Sequence, residues 1–125
     1  MGNGLGPISS TSDYDEKVTD YHGPVVVEFY DETSDHVQAL NPWVKHLRSK
    51  HWEAVDFWEV NVRDAEMHEL VTRYNITETP TFLLYSGKGN MRTHVNIGSN
   101  FASLEAAVEV MASPRKGLSL AASLS

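Results

Sequence analysis

The sequence predicts an α/β domain, a mixed β-sheet flanked by helices with a flexible tail at each end. Three observations carry this. The hydrophobic period switches several times along the chain between the two-residue repeat of a strand and the 3.6-residue repeat of a helix. The first strand-type segments are separated by long helical ones, the arrangement of parallel βαβ units. The last two strand-type segments are joined by a short Gly-rich turn, the arrangement of a hairpin. The 125 residues suit one domain, and 41% of them are hydrophobic, enough for a core.

The elements follow in order. Residues 1–12, MGNGLGPISSTS, are dominated by Gly, Ser and Pro and read as a flexible leader. The domain is read as 13–112, and 113–125, which starts beside Pro114, as a second flexible tail. A short helix is expected over 13–21, with Ser12 or Asp13 as N-cap and Glu16 completing the capping pattern. Gly23-Pro24 stops it. Val25 to Tyr30 is β-branched and aromatic on both faces, with one acid, and reads as a central strand. From Ser34 to Lys50 a stripe of Val37, Leu40, Val44 and Leu47 marks a long helix, kinked by Pro42. Val55 to Val62 alternates as a second strand. Met67, Leu70, Val71 and Tyr74 share one helical face. Thr81 to Tyr85 and Met91 to Ile97 form the hairpin around Ser86–Asn90. Ser99 or Asn100 caps a last helix that turns Leu104, Ala107, Val108 and Met111 inward.

Composition excludes several functions. There is no cysteine, so the chain has no disulfide, no thiolate nucleophile and no Cys-ligated metal. The six histidines fall at no metal-ligand spacing, so no metal site and no cofactor are expected. A net charge of −7 without a Lys/Arg cluster argues against nucleic acid. No apolar run is long enough to span a bilayer and no secretory signal is visible, so an intracellular, cytoplasmic protein is expected.

Four groups of residues invite a functional reading. Ser34 stands at the start of the long helix, where its hydroxyl suits an N-cap. With His36 it also suggests a nucleophile and base, but residues two apart on a helix do not face each other, and no oxyanion or orienting-acid motif accompanies them. Asp35 suits the first helical turn through the helix dipole. Glu28 is an acid inside an apolar strand. Burial, with Asp31, Glu32 and Glu59 nearby in charge, should raise its pKa. Trp43, Trp52, Phe57 and Trp58 read as core and rim packing.

The run Val27-Glu28-Phe29-Tyr30-Asp31-Glu32-Thr33-Ser34-Asp35-His36-Val37 aligns without a gap on V-D-F-W-A-x-W-C-G-P-C. Pro42 falls on a helix-kinking proline of the same pattern. Asn61-Val62 matches a strand end. Tyr74-Asn75-Ile76 with Thr79-Pro80-Thr81-Phe82 matches Y-x-I/V-x-x-x-P-T-F/L, and Gly98, Asn100, Leu104 and Glu105 match the start of a last helix. From Pro24 to Met111 the chain therefore resembles the thioredoxin superfamily. The resemblance implies a thioredoxin-like fold with Pro80 in cis. It also implies that Ser34, Asp35, His36 and Val37 stand on a degenerate redox motif, SDHV in place of CGPC. Dithiol exchange needs an attacking and a resolving thiolate, and neither serine nor valine supplies one. Glu28 lies on the family's buried acid, and Glu59 stands where the family often keeps Lys. Thr79 and Pro80 lie on the loop that pairs with extended peptide in the family, a mode that needs backbone groups rather than cysteines. Asp31, Glu32, Asp35 and Glu78 around it favour a cationic or neutral protein or peptide partner. The implied function is a redox-inactive binding or adaptor module. The alternatives are an engineered Cys-to-Ser form of a monothiol redox protein and, further off, a Ser/His-based enzyme.

Overall fold

A computed structural model describes residues 5–51, 53–87, 91–96 and 101–112. Its strands are β1 (Leu5–Pro7), β2 (Val25–Tyr30), β3 (Asp56–Asn61), β4 (Thr81–Tyr85) and β5 (Met91–Asn96). Its helices are α1 (Thr11–Tyr14), continued by a wider π turn over Asp15–Thr19, then α2 (Asp35–His51), α3 (His68–Arg73), entered through a 3-10 turn at Ala65–Met67, and α4 (Phe101–Ala112). The sheet order is β1-β3-β2-β4-β5. β1, β3 and β2 run parallel, while β4 and β5 are antiparallel additions. This is the mixed sheet that the βαβ-then-hairpin pattern predicts.

β2 is central because both of its faces are apolar. Val25, Val27 and Phe29 face one layer, where Tyr14, Val18, Met67 and Leu70 from α1, its π turn, the 3-10 turn and α3 pack with Val60, Leu83 and Tyr85. Val26 faces the other layer, with Val44 and Leu47 of α2, Leu104, Val108 and Met111 of α4, and Phe57, Phe82 and Leu84. Each such aliphatic side chain contributes about 1.5–3 kcal/mol on burial. Side chains alternate along a strand, so Glu28 shares the face of Val26 and lies on the α2 side. Pro42 sits inside α2.

Three expectations are corrected. The leader is not a free segment from Leu5 onward. β1 pairs with Phe57, Trp58 and Glu59, and Ile8 is buried and donates its N–H to the Glu59 carbonyl at 2.8 Å. Gly6 and Pro7 are tolerated because β1 is an edge strand with one neighbour. The first cap is Ser10 rather than Ser12 or Asp13. Its Oγ accepts from the Asp13 N–H at 3.0 Å, while the Asp13 carboxylate accepts from the Ser9 N–H at 2.9 Å. Trp43 is exposed, one position off the stripe that buries Val44 and Leu47. Trp52, the turn residues Lys88, Gly89 and Asn90, Ile97, the caps Ser99 and Asn100, and 113–125 lie outside the described residues.

Candidate functional site

The C-terminal end of β2, the N-terminal end of α2 and the start of β4 meet at one edge of the sheet. The pairing Phe29 with Thr81 brings the β4 entry alongside the β2 exit. Asp31 closes the turn between β2 and α2. Its carbonyl accepts the Ser34 N–H at 3.0 Å, and its carboxylate accepts from the Thr33 N–H at 2.9 Å and hydroxyl at 2.6 Å, which holds it below its ordinary range. Ser34 precedes α2, and its carbonyl accepts the Gln38 N–H at 3.1 Å. Asp35 is the exposed first residue of α2. His36 and Val37 follow in its first turn, with side chains outside the described residues, so a Ser34–His36 pair has no geometry here.

The Thr79–Pro80 peptide bond is cis. Pro80 is buried and Thr79 half-buried. The Thr81 hydroxyl donates to the Glu78 carbonyl at 2.6 Å and ties the loop to the strand. Among the described residues the backbone N–H and C=O of Thr79 carry no hydrogen bond. Buried backbone groups are nearly always paired, with protein or with water, which sets Thr79 apart from the paired residues of β4 that follow it.

Behind this edge lies Glu28, 4% exposed. Its direct neighbour across the parallel pair β2–β3 is Glu59. Burial, then repulsion from Glu59, pushes the Glu28 carboxyl up to about 7, against a smaller pull from Arg48. Asp31 and Glu32, expected to contribute, are not among the groups that shift it. Glu32 accepts from the Asn61 side-chain amide at 2.6 Å, and Asp31 lies 3.7 Å from Arg63. Arg48 is held by Glu59 at 3.5 Å. A cavity of about 350 Å³ opens beside them, lined by Glu28, Tyr30, Glu32, Gln38, Asn41 and Glu59.

The cavity had no signal in the sequence. It arises where α2 stands off the ends of β2 and β3, and only the mutual position of three elements creates it. The acidity of Asp31, Glu32, Asp35 and Glu78 was legible as charge, but the Arg63 ion pair with Asp31 and the Asn61 hydrogen bond to Glu32 were not. Among the described residues no three His, Asp or Glu side chains lie close enough together to hold a metal ion. No helix there is long and apolar enough to cross a membrane.

The fold is shared with solved thioredoxins. Malassezia sympodialis thioredoxin superposes with a TM-score of 0.77 at 21% identity, over 89% of this chain and 93% of that one. Fasciola hepatica thioredoxin gives 0.75 at 19%, over 86% and 99%. Thioredoxin O1 of Arabidopsis thaliana in its oxidized state gives 0.76 at 19%, over 87% and 98%. Comparison with curated protein sequences finds no match. The thioredoxin family model matches residues 7–110, and with β1 to β5, the helices on both sides of the sheet and the cis Thr79–Pro80 loop in place, the chain belongs to the thioredoxin family as a member without cysteine.

Proposed function

We propose that this chain is a binding or adaptor module that takes an extended peptide along the Thr79–Pro80 loop and carries out no thiol chemistry on it. With no cysteine, dithiol–disulfide exchange is excluded by composition. The observation that carries the reading is Thr79. Its backbone donor and acceptor are unpaired among the described residues, at the open end of a sheet whose interior ladder is complete. Adding a peptide strand there satisfies both groups, and main-chain pairing supplies affinity without a reactive side chain. Asp31, Glu32, Asp35 and Glu78 lie on the surrounding turn, helix start and loop, and bias the partner toward positive or neutral sequences.

The test uses decapeptides of alternating Val and Thr with Arg, Gln or Glu at the centre. Each is titrated into the isotope-labelled chain while amide shifts are followed, and insulin reduction is assayed in parallel. The expected result is saturable shifts at Thr79 and Thr81, affinity in the order Arg, Gln, Glu, and weakening with added salt. Insulin turnover should stay at the blank. Absence of any shift at Thr79 with all three peptides overturns the reading.

A further inference from the structure

We propose that the cavity beside Glu28 receives one guanidinium group, the arginine side chain of a bound peptide, with Glu28 as its charge partner. The inference deepens the peptide-binding reading and rests on it for the source of the arginine.

Three observations lead there. Glu28 is 4% exposed, lines the cavity, and among the described residues has neither a hydrogen-bond donor nor an ion-pair partner. Among the described residues its oxygens are not fully enclosed, so they face the cavity, where an incoming cation that also donates hydrogen bonds can reach them. The nearest resident cation, Arg48, is engaged by Glu59 at 3.5 Å.

The second observation is the chemistry of the lining. It consists of three carboxylates, two side-chain amides and a tyrosine, with no Lys, Arg or His among them. Gln38 donates its amide N–H to the Glu32 carbonyl at 3.2 Å, which leaves its own carbonyl as an acceptor. Glu32, Gln38 and Asn41 are exposed around the buried Glu28. A guanidinium presents five donors in one plane and sheds water more readily than an ammonium, and an aromatic ring such as that of Tyr30 accepts it on its face. A bare metal ion fits worse, since no three acidic or His side chains among the described residues converge.

The third is size. At about 350 Å³ the cavity has room for a guanidinium together with the aliphatic stem that carries it.

Charge sets a pH signature. The groups that act on Glu28 are Glu59, which raises it, and Arg48 on α2, which lowers it, with Tyr30 and Glu32 also at the cavity and no charged residue at its β4 neighbour Phe82. Cation binding requires the ionised carboxyl, so affinity should fall by up to about tenfold per pH unit below neutrality and level off above pH 8.

The experiment follows the side-chain carboxyl carbon of Glu28 by NMR. The probes are N-acetyl-arginine N-methylamide and its citrulline counterpart, which has the same shape and no charge. The expected result is saturation by the arginine probe with a fall in the Glu28 pKa of about one unit or more, and at least tenfold weaker binding of citrulline. Glu28→Gln should weaken the arginine probe at least tenfold with its circular dichroism unchanged. Equal response to the two probes, or saturation that leaves Glu28 unmoved, overturns the proposal, and the parent chain decides this even if Glu28→Gln fails to fold. The two readings fail separately. If the Gln-centred decapeptide moves Thr79 while the arginine probe leaves Glu28 unmoved, the cavity proposal falls and peptide binding stands. If the arginine probe saturates Glu28 and no decapeptide moves Thr79, strand addition at Thr79 falls, and with it the source proposed for the arginine.

Discussion

Replacing Glu28 by Gln should stabilise the fold at and above neutral pH and leave it unchanged near pH 4. The carboxyl has an ordinary value of 4.5 and is pushed up to about 7 in the folded chain, first by burial and then by Glu59. The folded state therefore binds this proton more tightly than the unfolded state. Below pH 4.5 both states are protonated and Glu28 costs nothing. From there to pH 7 the unfolded chain releases the proton while the folded chain keeps it, so stability falls as pH rises. Above pH 7 both are ionised and the loss is complete. At about 1.4 kcal/mol for each tenfold difference in proton affinity, the full loss is about 3 kcal/mol. Gln keeps the shape and cannot ionise, so the variant should escape the loss. With a urea m-value of about 2 kcal/mol/M, the midpoint at pH 8 should rise by about 1.5 M, and the two chains should converge at pH 4. Urea titrations at pH 4, 6 and 8 read this directly. A variant less stable than the parent at pH 8 would refute the reasoning, because Glu28 would then be an ionised and well-paired acid. A gain independent of pH would refute it too, since the proton would have no part in it.

Other substitutions test the packing around the site. The Tyr14 and Tyr85 hydroxyls lie 2.5 Å apart in the core, so Tyr14→Phe should lower stability by about 1–2 kcal/mol in urea titration without changing the m-value. Gly87 has φ +136, and a Cβ there would collide with the His22 carbonyl oxygen, so Gly87→Ala should lower the thermal midpoint by several degrees. Ile8 is buried under the edge strand β1, so Ile8→Ala should cost about 2–4 kcal/mol in denaturant titration, an effect that a free leader would not produce.

How much was legible depended on whether the signal was local. β2 was legible because Val25 to Tyr30 is apolar on both faces, which only a strand covered on both sides requires. α2 was legible from the stripe holding Val44 and Leu47. β1 was hidden because Gly6 and Pro7 mark turns more often than strands. Its pairing with Phe57–Glu59 is a long-range event that an edge position makes permissible. The cap was misplaced because Ser9, Ser10, Thr11, Ser12 and Asp13 are nearly all competent N-caps, and the chain's exit from β1 decides among them. At the site, Glu28 and the Thr79–Pro80 loop stood out in the chain. The acceptor-lined cavity did not, since Gln38 and Asn41 on α2 acquire a meaning only when α2 packs over Glu28 and Glu59.

The central claim is that Thr79 offers an unpaired backbone to a peptide strand. Hydrogen exchange of the Thr79 amide, with and without a saturating decapeptide, tests it most directly. Strand addition predicts that exchange at Thr79 slows at least tenfold while core amides such as that of Phe29 are unchanged. Exchange at Thr79 that stays as fast in the complex as in the free chain would contradict the account.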